Sequence, residues 1–240
     1  MRVCVVGDLH AAPGMNLSHV DHIASHIEAT SPDAVVLIGD VCTFDSVSTH
    51  DPLGSIAAKT QPSISEDMEA LEETLERLDG LTPSLYVTLG NHEERLKRYE
   101  ENDARLSGSI WPRLTRTFEA YGFSVTGYGD FLNLGGVRFT HVPLNIMRRP
   151  YANIDAVARE AKWPIVYGHS HEQNVKTARK IGGGFTILNV PCSLPHGHVE
   201  KYALKTTTTW SWAISDLEIF DGQIGGYAFR PMNWLRKTYG

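Results

Sequence analysis

The sequence predicts an α/β fold, read as one domain over residues 1–240 with two sheets packed face to face and helices outside. Three observations carry this prediction. In the first half, short apolar runs that end in glycine alternate with segments of helical period, the pattern of strand–helix–strand units around a parallel sheet. In the second half the apolar runs are joined by glycine turns and read as hairpins. No stretch has the composition of a linker, and 240 residues are enough for one large domain but short for two.

The elements follow in order. Val3 to Val6 is a continuous apolar run ending at Gly7-Asp8, as expected of a strand buried on both faces. Ser18 to Ala29 carries Val20, Ile23, Ala24 and Ile27 at helical spacing, and Pro32 closes that segment. "DAVVLIGD" (Asp33 to Asp40) repeats the run-then-Gly-Asp pattern. Residues 41–62 are turn-rich, a long connection of the type that usually carries function. A helix is expected over Ser65 to Leu78 with Ser65 as its cap, then a strand in "SLYVTLGNHE" leading into a charged helix. "DFLNLGGVRFTHV" reads as a hairpin turning at Gly135-Gly136. A helix over 151–162, strands in "WPIVYGHSH" and "GGGFTILNV", and a final hairpin turning near Asp221-Gly222 complete the chain. Trp210 and Trp212 alternate along that last segment, so they are expected to share one packed strand face.

Composition narrows the functional classes. A formal charge of −6 is unhelpful for a protein that grips bulk nucleic acid, although carboxylates that hold cations would weaken the argument. No window approaches the ~20 continuous apolar residues of a membrane span. "MRVCVVGDLH" begins on a strand-like run without the features of a signal peptide, so a cytoplasmic location is expected. Cys4, Cys42 and Cys192 are an odd number without zinc-like spacing and read as reduced, buried thiols.

Five strand ends then line up: "GDLH", "IGD", "GNHE", "FTHV" and "GHSH". Each puts Asp, Asn or His just after an apolar run, where open α/β sheets assemble their ligand sites. Asp8, His10, Asp40, Asn91, His141, His169 and His171 supply seven nitrogen or oxygen donors. One ion rarely uses seven side chains, whereas two ions sharing a carboxylate do. A mixed Asp/His/Asn shell suits Mn²⁺, Fe, Co²⁺, Ni²⁺ or Zn²⁺ better than Ca²⁺.

Taken in order, D-x-H, G-D, G-N-H-E, a lone histidine and G-H-x-H resemble the calcineurin-like metallophosphoesterase family, from Gly7 to His171. The "FDSVS" and "NHEERLKRYEE" stretches look like bacteriophage and bacterial members. The resemblance implies a four-layer α/β/β/α sandwich of two mixed sheets. It implies two divalent ions, Mn²⁺ first with Fe, Zn²⁺, Ni²⁺ and Co²⁺ as alternatives. Asp8, His10 and His171 would hold one ion, Asn91, His141 and His169 the other, and Asp40 would bridge them. His92 would be the catalytic residue that faces substrate. The implied reaction is hydrolysis of phosphate mono- or diesters by in-line attack of a hydroxide bridging the ions. Diesters are favoured because no cap domain that would enclose a small monoester is recognisable. Nucleotides and nucleic acid are among the candidate substrates, and Asn91, His92 and Arg95 the candidate substrate contacts, with Arg148 and Arg149 behind them. The alternatives are a nuclease acting on DNA or RNA ends, and a catalytically silent metal-binding interaction module.

The match departs from the family at Thr43, where many relatives carry an aspartate that orients the catalytic histidine, and Asp45 is the nearest substitute. Val142 stands where many relatives have glycine. His19, His22 and His26 could share one helix face and read as packed or exposed rather than as a third metal site. Whether His196 and His198 reach the groove depends on loop geometry. Arg95, Lys97 and Arg98, interleaved with Glu93, Glu94 and Glu100, read as a solvated charged face.

Overall fold

The computed structural model describes residues 1–49, 54–82, 84–200, 203–204 and 208–240; residues 50–53 of the long connection lie outside them. The first half runs β1 (Arg2–Val6), α1 (Ser18–Thr30), β2 (Ala34–Leu37), α2 (Ile56–Lys59), α3 (Ile64–Glu76), β3 (Leu85–Thr88) and α4 (Asn91–Glu101). It continues through α5 (Trp111–Ala120) and β4 (Phe123–Thr126). The second half holds β5 (Leu132–Leu134), β6 (Val137–Thr140), α6 (Ile154–Glu160), β7 (Ile165–Tyr167), β8 (Asn174–Lys180) and β9 (Gly183–Asn189). The hairpin β10 (Ala213–Phe220) and β11 (Gln223–Pro231) and the helix α7 (Met232–Tyr239) close the chain.

The strands form two mixed sheets. One has the order β11-β10-β1-β2-β3-β4, with β1 to β4 parallel and the last hairpin added antiparallel beside β1. The other has the order β5-β6-β7-β9-β8, with β6, β7 and β9 parallel between antiparallel edges. Successive side chains on a strand point to opposite faces, and β1 shows what that does here. Val3 and Val5 enter the core between the sheets with Val36, Ile38, Phe139, Val166 and Leu188. Cys4 and Val6 enter the core beneath the helices with Ile23, Leu71, Phe118 and Leu235. On the far side, Ile165 and Tyr167 of β7 pack against Val157 and Ala158 of α6 while Val166 faces inward. These three cores make the mixed α/β architecture of two sheets with flanking helices.

Some boundaries move. Ser63, not Ser65, caps α3: its Oγ accepts from the Glu66 N–H at 3.2 Å and its own N–H donates to Glu66 Oε2 at 2.7 Å, a reciprocal capping box. The helix expected over 151–162 is confined to α6, with Asn153 as its cap. The elements α5, β4, β8 and α7 were not anticipated. Leu114 and Phe118 of α5, and Met232 and Leu235 of α7, are single i, i+4 and i, i+3 pairs, too short a pattern to show a period in sequence. Neither Trp210 nor Trp212 is on the last strand; both precede it, Trp212 in an isolated bridge to Cys192. All three cysteines are buried and unpaired, and no helix among the described residues is long and apolar enough to cross a membrane.

Candidate metal centre

Every predicted donor lies just beyond a strand. β1 ends into Asp8 and His10, β2 into Asp40, and β3 into Asn91 and His92 at the start of α4. From the other sheet, β6 ends into His141 and β7 into His169 and His171. Two glycines let these ends meet. A Cβ on Gly90 would collide with Asp40 Oδ1 and the Asp40 backbone nitrogen, and a Cβ on Gly168 would lie 2.6 Å from Asp8 Oδ1. Backbone strain gathers at the same place. Among the described residues, eight non-glycine residues have positive φ, and His10, Asp40, His169 and His171 are four of them. Such conformations persist where surrounding structure enforces them, and they cluster at functional sites.

The donors converge in two groups joined by Asp40. His171 Nε2 lies 3.0 Å from Asp8 Oδ2 and 3.2 Å from His10 Nε2. His141 Nε2 lies 3.0 Å from Asn91 Oδ1 and 3.2 Å from His169 Nδ1. Asp40 Oδ2 stands between them, 3.4 Å from His141 Nε2, 3.8 Å from His92 Nε2 and 3.9 Å from His10 Nε2. Asp8, His10 and His171 can therefore hold one ion, and Asp40, His141 and His169 a second. His10, Asp40 and His92 also meet within reach of one ion, which places His92 beside the first group.

Hydrogen placement shows that this arrangement fits cations. His141 Nδ1 is 2.8 Å from the Ile38 carbonyl, which only accepts, so the ring hydrogen is on Nδ1. Its Nε2 lone pair then faces Asn91 Oδ1 and Asp40 Oδ2, both acceptors, a repulsive arrangement unless positive charge sits among them. Without an ion that charge is a proton on Nε2: burial pulls the His141 pKa down, but Asp40, Asp8 and Glu93 outweigh it and lift it to about 9. His169 is held down to about 4 by burial and by neighbouring His141, so its imidazole is neutral and its lone pair is available. Burial pushes Asp8 up, yet His171 and His141 bring it down to about 2 and keep it ionised. Its buried Oδ2 has His171 Nε2 3.0 Å away and no other hydrogen-bond partner among the described residues. Two carboxylates, an amide oxygen and four imidazoles suit a pair of divalent ions.

Three residues around the donors read differently in sequence. Glu93 is not on a solvated face. It is fully buried, accepting the N–H groups of Gly90 (2.7 Å) and Asp40 (3.0 Å) on Oε2 and of Val41 (2.8 Å) on Oε1. Burial and the Asp40 charge push its carboxyl up to about 7, against these donors, which favour the ionised form. Its position three residues after Gly90, where a capping-box glutamate belongs, was the available signal. Asp45 is not what orients His92. The Thr43 backbone carbonyl accepts from His92 Nδ1 at 2.6 Å, which directs Nε2 into the site. Trp210 packs edge-on against His171, ring centres 4.1 Å apart.

The remaining candidates are placed as follows. Arg95 Nη1 is 3.1 Å from His92 Nδ1 and 3.4 Å from Thr43 O, at the edge of the donors. Burial first and Arg95 second hold His92 below its ordinary pKa, against the pull of Asp40. His198 lines a groove that begins at His10 and His92, whereas His196 packs on Trp212. Arg148 donates to Tyr128 O at 3.2 Å and Arg149 is exposed. His19 and His26 pack on α1, and His26 lies 3.1 Å from Asp216 Oδ1.

In Arabidopsis thaliana, purple acid phosphatase 15 is 30% identical over 172 residues, which make up 68% of this chain but 28% of that protein. A Vps29 single mutant from Entamoeba histolytica shares the fold, with a TM-score of 0.50 at 15% identity over 95% of this chain and 99% of that one. Yfce, a phosphoesterase from E. coli, superposes with a TM-score of 0.44 at 17% identity over 95% and 98% of the two chains. The profile described as calcineurin-like phosphoesterase matches residues 1–188, a span that includes all five strand ends. This chain belongs to the calcineurin-like phosphoesterase family.

Proposed function

We propose that this protein hydrolyses phosphate esters, diesters ahead of monoesters, at two divalent ions of which Mn²⁺ is the first candidate. In this reading Asp8, His10 and His171 hold one ion, Asn91, His141 and His169 the other, and Asp40 both. The observation that carries it is the position of Asp40 Oδ2, within 3.9 Å of imidazoles from both groups. When bound, the ions supply an activated water and neutralise the phosphoryl oxygens. The protein's own groups do the rest. Thr43 O accepts the Nδ1 proton of His92 and aims Nε2 into the site, where the doubly protonated imidazolium would pass its Nε2 proton to the leaving oxygen. Arg95, beside His92, orients the anionic ester. Support for diesters comes from the open groove that continues past His92, which leaves room for a second substituent on phosphorus.

The test is hydrolysis of bis-p-nitrophenyl phosphate and p-nitrophenyl phosphate with Mn²⁺, for the wild type and His92→Ala. The diester is expected to turn over faster, and His92→Ala to lose roughly 10²–10⁴-fold with its metal retained. Metal binding without turnover of either ester would instead make the protein a metal-binding module and overturn the reading.

A further inference from the structure

The groove beside His92 has a volume of about 690 Å³ and is walled by residues 12–15, by Thr43, Asp45 and Ser48, by residues 60–62 and by residues 198–200. That is the size of a site for one small-molecule group, not of a channel for a strand. Its chemistry is divided. Arg95 stands beside His92, so affinity for an anion is concentrated where the ester would sit. Asp45 and Glu200 line the groove as well, with His198 Nε2 3.5 Å from Glu200 Oε1. Both carboxyls therefore face the same groove. Burial pushes the Glu200 carboxyl up, His198 draws it down and the charge of Asp45 pushes it up again, for a net rise. Thr43 is a further lining residue whose buried hydroxyl has no hydrogen-bond partner among the described residues.

In-line displacement sends the leaving oxygen away from the attacking one. His92 lies between the donor cluster and the groove, so the group it protonates is the group that enters the groove. A leaving group bearing more phosphates would set its charge against Asp45 and Glu200 in a partly enclosed space, where like charges repel strongly. A neutral or cationic group with N–H and O–H donors would instead find acceptors there.

We propose that this groove is the leaving-group subsite, and that it selects esters whose leaving group is one uncharged or cationic, donor-rich unit of at most nucleoside size. The proposal rests on the phosphoesterase reading above. Water adds its oxygen to phosphorus, the P–O bond to the leaving group breaks with its electron pair, and a proton passes to that oxygen. The products are an alcohol and a phosphate.

The experiment compares kcat/KM for a dinucleoside monophosphate and for the same molecule with a terminal phosphate added to its leaving nucleoside. Bis-p-nitrophenyl phosphate, assayed on the wild type, checks the underlying reading separately. The unphosphorylated leaving group is expected to be preferred at least ~10-fold, as for a charge clash of about 1.4 kcal/mol. The preference should shrink towards parity in an Asp45→Asn/Glu200→Gln double variant. Calorimetric titration of metal-loaded protein with adenosine reads the groove without turnover, with binding expected in the wild type and lost in Glu200→Lys. Thermal melts establish that each variant is folded. Turnover of bis-p-nitrophenyl phosphate with equal rates on the two dinucleotides, or a preference unmoved by the double variant, overturns the proposal while sparing the phosphoesterase reading. No turnover of any ester overturns both.

Discussion

Asp40 is held from three directions. Its N–H goes to Glu93 Oε2 at 3.0 Å, its Oδ1 accepts from the His92 N–H at 2.9 Å, and its carbonyl accepts from the N–H of His10 at 2.9 Å. Oδ2 is left facing both donor groups. Asp40→Ala should therefore empty both ion positions, while His171→Ala should weaken mainly one. Metal content by mass spectrometry after gel filtration distinguishes them, and equal losses would count against the shared carboxylate. Glu93 acts one step further out. Glu93→Gln keeps the volume but turns one acceptor oxygen into a donor against three backbone N–H groups, so the Asp40 loop should loosen. A ten- to hundred-fold loss of metal affinity is expected, as for other groups that orient ligands, with a lower Tm. An unchanged metal titration would show that Glu93 only caps α4. The seven donors were legible because each follows an apolar run, six directly after glycine or within three residues of one. Glu93 was hidden among charged neighbours, and the Thr43 carbonyl is a backbone group whose direction no side-chain pattern reports.

Among the elements, β1 and β2 were legible from apolar runs buried on both faces, α1 and α3 from a repeated apolar stripe, and the last hairpin from its glycine turn. The runs at Val3 to Val6 and Asp33 to Asp40 became β1 and β2 because each alternate residue enters a different core. β8 was missed because its residues are mostly exposed, so it carries no apolar alternation. The joint between α1 and the closing hairpin rests on a polar cluster equally invisible in sequence. Asp216 on β10 lies 3.1 Å from His26 Nε2 and accepts from Arg230 Nε at 2.8 Å. Burial would push its carboxyl up, but the hydrogen bonds from His26 and Arg230 outweigh this and hold it below its ordinary value of 3.8. A depressed carboxyl pKa contributes stability above the unfolded value and loses it as pH falls through the folded one. Asp216→Asn should thus cost about 1–3 kcal/mol at neutral pH, and the gap to the wild type should close below about pH 4. Urea unfolding at pH 7 and pH 3 measures it, and a constant gap would contradict the assignment.

Across the whole molecule, the two sheets meet face to face, and the C-terminal ends of their parallel strands deliver donors to one region. The sequence predicted two sheets but not their strand order: that β10 and β11 add beside β1, rather than to the second sheet, depends on long-range pairing. Because Asp8, Asp40 and Asn91 come from one sheet and His141, His169 and His171 from the other, bound ions would tie the layers together. A ligand that binds only the folded state stabilises it by about 2.7 kcal/mol at a hundred times its Kd. Saturating Mn²⁺ should raise Tm by several degrees and a chelator should reverse the gain. A Tm indifferent to both would mean that no ion bridges the sheets.

The most direct measurement is anomalous diffraction from crystals soaked in Mn²⁺. The account predicts two peaks roughly 3.5–4 Å apart, one among Asp8, His10 and His171, the other among Asn91, His141 and His169, with the Asp40 carboxylate touching both. A single peak, or peaks away from Asp40, would contradict it.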